Sequence, residues 1–124
     1  LDKHSEVNVV VNNGNKYVLN GIKKYNEKIR YGLAKGTYVI KNVPAEYPMA
    51  VISDDPNISY TGEDEVFGGE SVILGYNYYS GDVTITVTGD FGEASIHCSV
   101  HGYMGGKNVL VYSNNCNCIC NSKY

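Results

Sequence analysis

Tryptophan is absent from the 124 residues, phenylalanine occurs twice, and proline and histidine occur three times each. No stretch approaches the roughly 18 consecutive apolar residues of a membrane span, so none is expected. Lysine and arginine form no cluster interleaved with aromatics, and the net charge is -3. The electrostatic footprint of a nucleic-acid-binding protein is therefore missing. No Ser/His/Asp set and no assignable pair of catalytic carboxylates stands out, so the chain is read as a non-enzyme. No segment carries apolar residues at helical spacing, which removes the helical folds.

What is present is the composition of one folded domain: 43% hydrophobic and 19% charged residues in 124, enough to bury a single core and too ordered a mixture for a disordered chain. The aromatic content is almost all tyrosine, 12 residues, a side chain with an apolar body and a polar tip that suits half-buried strands and surfaces meeting other proteins. Val83-Thr84-Ile85-Thr86-Val87-Thr88 alternates, placing Val83, Ile85 and Val87 on one face and the threonines on a face toward water. Short β-branched or aromatic runs recur at 7–11, 16–19, 37–40, 49–52, 94–98 and 109–112. Asn13-Gly14 marks a hairpin between the first two of these. Residues 23–35 are polar with no assigned element, and 54–69 read mostly as loop with one strand near Ile58. Seven to eight short strands separated by turns predict an all-β, Greek-key β-sandwich or barrel. Its domain spans 1–113, with an Asn- and Cys-rich arm over 114–124.

The chemistry concentrates in Cys98-Ser99-Val100-His101-Gly102-Tyr103-Met104. A thiolate, an imidazole and a thioether at Cys-x2-His-x2-Met spacing supply three of the four donors of a blue-copper centre, which takes two imidazoles in its trigonal plane. The strand ending at Cys98 turns back into the strand over 109–112, and a tight loop between them brings the three donors to one place. The run from Ile96 to Lys107, with the strand that follows, resembles the ligand loop of amicyanin-type cupredoxins, the short-loop relatives of plastocyanin. Gly36 to Pro44 followed by Met49 to Ile52 resembles the strand pair that flanks that family's first ligand. The resemblance implies a cupredoxin-like sandwich with Cys98, His101 and Met104 as metal ligands.

The chain departs from the family where the first histidine belongs, because Glu46-Tyr47-Pro48 stands there. His97 precedes Cys98 on a strand and points to the opposite face, and His4 lies at the N-terminus. Tyr47 at the first-ligand position would have to ionise, and an ordinary phenol holds its proton to about pH 10. Copper is thus expected to be absent or weakly held. Three histidines also fall short of a trinuclear copper oxidase.

Cys116, Cys118 and Cys120 alternate, so their sulfurs share one side of an extended arm and pair poorly with each other. Disulfides are expected there, to another chain or, if Cys98 has left copper chemistry, back to Cys98; zinc or cuprous ion is the sharper alternative. A first residue of Leu1, the cysteines and the sequon Asn57-Ile58-Ser59, a glycan acceptor, fit an extracellular or surface-displayed protein, a virion surface included. Asp54-Asp55 and Glu63-Asp64-Glu65 read as solvated acids rather than a calcium site. The function expected is a structural, self-associating cupredoxin-like module with a modified or lost copper site, cross-linked through its cysteines. The alternative is a small blue-copper electron carrier.

Overall fold

The computed structural model describes residues 1–114, and the arm with Cys116, Cys118 and Cys120 lies outside them. The described chain is all-β, with ten strands: β1 His4–Glu6, β2 Asn8–Val11, β3 Asn15–Val18, β4 Tyr31–Leu33, β5 Gly36–Val43, β6 Met49–Ile52, β7 Ile58–Val66, β8 Tyr78–Val87, β9 Glu93–Cys98 and β10 Leu110–Tyr112. Eight of them form one curled mixed sheet in the order β1-β5-β8-β6-β9-β10-β4, with β7 also paired to β8. This curled sheet makes the β-sandwich or half-barrel. β8 returns beside β5 and β9 beside β6, so the chain path crosses over in Greek-key fashion. β2 and β3 form a separate hairpin, turned at Asn13 and Gly14, whose φ angles are +52° and +104°.

One residue joins the two halves. β5 runs antiparallel to β8 until a register shift between Ile40 and Val43, where Asn42 takes a φ of +62°. The chain then leaves through Pro44, whose carbonyl accepts the Tyr47 amide, and β6 begins. Met49 pairs with Tyr79 of β8 and with Cys98 of β9. The threonine-rich strand faces as its alternation dictates: Val83, Ile85 and Val87 are buried, and Thr86 and Thr88 are exposed.

Two expectations need correction. Residues 54–69 are not mostly loop, because β7 covers nine of them and pairs with β8 along its length. Its acidic stretch reads as loop because the strand is half-exposed. The tyrosines are not confined to half-buried positions either: Tyr17, Tyr31, Tyr38 and Tyr78 are among the largest fully buried side chains. Burial is tolerable because each hydroxyl meets a backbone group. Tyr17 donates to the Tyr47 carbonyl, Tyr31 accepts from Leu19, Tyr38 bonds Ala34, and Tyr78 accepts from Ile73.

Candidate functional site

β9 alternates, so Ala94, Ile96 and Cys98 enter the core while Ser95 and His97 face the other way, also covered. Cys98 ends the strand as a free, fully buried thiol. The chain turns at once: Cys98 and Gly102 exchange backbone hydrogen bonds of 2.7 and 2.9 Å, and Gly102 takes a φ of +78°, which a side-chain-bearing residue adopts only under strain. Within the turn the Val100 amide points at the Cys98 sulfur at 3.5 Å.

The three loop donors do not share one environment. Cys98 and Met104 belong to the core cluster, whereas His101 is exposed. The His101 ring rests against Tyr47, centroids 5.2 Å apart. Tyr47 is half-buried at this contact. His97 keeps to its own side: its Nδ1 meets the Tyr78 hydroxyl at 2.9 Å, and Tyr103 stands edge-on to its ring at 4.5 Å. The Tyr78 oxygen also accepts the Ile73 amide, and which partner carries the proton of the Tyr78–His97 bond depends on the imidazole tautomer. Burial lowers the proton affinity of His97.

Tyr17, on β3, is the residue that sequence reasoning missed. Its hydroxyl donates to the carbonyls of Tyr47 at 2.5 Å and Pro48 at 3.3 Å, and the Met104 carbonyl accepts its amide. It lies beside the Cys98 thiol, which adds to burial in holding the phenol well above its ordinary range. Alternation with Leu19 signals that Tyr17 points inward, but only the docking of the hairpin onto β6 and the loop decides what it meets. Ser99 adds a buried hydroxyl without a protein partner among the described residues.

These donors do not fit a blue-copper centre. One imidazole is present on the loop and exposed, the second is absent, and the phenol against the thiol is held protonated by burial and is already a donor to two carbonyls. No group of three or more His, Cys, Asp or Glu is placed to hold a metal among the described residues. Asp54-Asp55 and Glu63-Asp64-Glu65 sit on separate segments: Asp55 caps the turn at Asn57, and Glu63 accepts the Asp82 amide. Asn57 is half-buried, and the Nδ2 that would carry a glycan donates to the Asp90 carbonyl at 3.2 Å. No helix among the described residues is long and apolar enough to cross a membrane. The chain matches no family model, no curated protein and no solved structure.

Proposed function

We propose that this protein is a cupredoxin-like structural module, extracellular or surface-displayed and without catalytic activity, that associates with copies of itself and in which tyrosines have taken over the place of the copper. The observation that carries the reading is the buried Tyr17 hydroxyl, set beside Cys98 and satisfied by the Tyr47 and Pro48 carbonyls. A thiol so enclosed closes the sandwich end by packing, and the loop from Cys98 to Met104 acts as a clasp between β9 and β10. The ligand-loop resemblance supports the family reading: Cys98 ends a strand, a glycine turn follows, and Met104 returns to the core.

The second reading, a small copper electron carrier, is favoured by one feature, the Val100 amide aimed at the Cys98 sulfur, a donor that would steady a thiolate ligand. Adding copper(II) to the reduced protein separates the two. The wild type is expected to show no intense visible thiolate-to-copper band. The double variant Tyr17→Phe with Tyr47→His removes the hydroxyl at the sulfur and supplies a neutral imidazole beside His101, and is expected to gain such a band. One equivalent of tightly held copper with strong colour in the wild type would establish the electron carrier instead.

A further inference from the structure

The chain segregates its charge. Between residues 42 and 106 there are ten of its 13 carboxylates and none of its 10 Lys and Arg residues, while eight of the ten cations lie at or before Lys41. Among the described residues the two sets meet in one ion pair, Lys41 with Asp82 at 3.0 Å. β7 joins β8 on the flank that touches β6, and this flank carries the exposed Glu63, Asp64, Glu65 and, just beyond the strand, Glu70. The Leu1 amino group donates to the Gly32 carbonyl, bringing the chain start to β4. There the 20–30 segment leads into β4 and exposes Lys23, Lys24 and Lys28.

The acidic flank is also the apolar one. Phe67 is 82% and Leu74 96% exposed, and Val72 and Val100 are exposed beside them. The 67–77 segment is not loose: the Ser71 amide donates to the Ser99 carbonyl, and the Tyr78 hydroxyl accepts the Ile73 amide. It frames a cleft of about 110 Å³ lined by Phe67, Val72, Tyr76, Tyr78 and Glu65. Two kinds of wall, aromatic rings and one carboxylate, suit a side chain with an apolar stem and a cationic end, which is lysine.

We propose that this cleft receives a lysine from the 23–28 segment of a second copy of the chain, so that copies join head to tail. The inference rests on the self-association of the proposed function and names its non-covalent faces. Charge complementarity selects the occupant, because the exposed Lys23, Lys24 and Lys28 match the exposed carboxylates around the cleft. Because the two faces differ, the contact is heterologous and each copy keeps one free face of each kind. Such contacts extend into rings or filaments rather than stopping at a dimer. The single contact is small and its charges are exposed, so it is weak and sensitive to salt.

Sedimentation velocity of the reduced full chain, over a concentration series at low salt and at about 1 M salt, tests this without disulfides. Concentration-dependent association that salt suppresses is expected. Glu65→Gln with Phe67→Ser should weaken it about tenfold or more, as should Lys23→Gln with Lys24→Gln. All four positions are exposed, and a circular-dichroism melt checks that each variant folds. Mixing the two variants should yield a 1:1 heterodimer and nothing larger, since one live face of each kind remains. Association untouched by either pair of substitutions would overturn the head-to-tail contact and leave self-association standing. Oligomers present only without reductant would do the same, assigning assembly to the cysteines. A monomer under every condition would remove the self-association reading itself.

Discussion

His97 is 4% exposed and neutral against Tyr78, and burial lowers its proton affinity. In the unfolded chain the imidazole titrates near its ordinary value of about 6.5. As pH falls, the unfolded state therefore binds the proton first. The stability contributed by neutral His97 is complete above that value and is lost as pH drops from the unfolded pKa toward the lower folded one. Melting temperature should decline between about pH 7 and pH 5 in the wild type, and His97→Gln should flatten the decline. An unchanged slope in the variant would show that His97 is not the titrating group. Asp82, held below the usual carboxylate range by Lys41 and the Asn42 amide, loses its contribution only at more acid pH, outside that window.

Between elements, the join of the two sheet halves depends on Met49, fully buried and paired to both β8 and β9. Met49→Ala leaves a cavity in the core and should cost about 2–5 kcal/mol. Chemical denaturation reads this as a lower midpoint with an unchanged slope; a loss under about 1 kcal/mol would mean that the halves hold together without it. The strand with the clearest alternation, Val83 to Val87, was legible because one face is buried and the other wet. β7 was not, since Glu63, Asp64 and Glu65 satisfy a solvated loop as well as an exposed strand, and only pairing with β8 distinguishes the two. β1 and β4, three residues each, are too short to show a period; they exist because β5 and β10 offer parallel partners.

For the whole molecule, the position of Cys98 bears on how the arm is used. β10 pairs Leu110 and Val111 with Ala94 and Glu93, so the described chain leaves at the far end of β9 from Cys98. The thiol itself is fully buried. A bridge from the arm to Cys98 would require that end of the sandwich to open, so bonds to another chain are expected instead. A non-reducing gel should show covalent oligomers that collapse with reductant, and a chain ending at Asn114 should lack them. The shortened chain should melt within about 2 °C of the full one, a difference of well under 1 kcal/mol for this size, because Ser113 still donates to the Leu33 carbonyl. A monomer carrying a Cys98-to-arm disulfide on peptide mapping would refute this.

Local patterns carried the all-β class, the buried face of the threonine strand, the Asn13-Gly14 turn and the place of the Cys98 to Met104 loop. Each of these is set by near neighbours: alternation by the two-residue period of a strand, the turn by backbone angles, the loop by two strands adjoining it. The family resemblance also implied that Tyr47 stands where a second imidazole would be needed. It did not show that Tyr17, among 12 tyrosines, reaches the thiol, or that His101 turns outward while Met104 turns inward. Those depend on contacts between residues far apart in the chain, such as Tyr17 with Pro48. Only closure of the sandwich brings such groups together, because residue type fixes what a side chain can bond and the tertiary packing fixes which partner it meets.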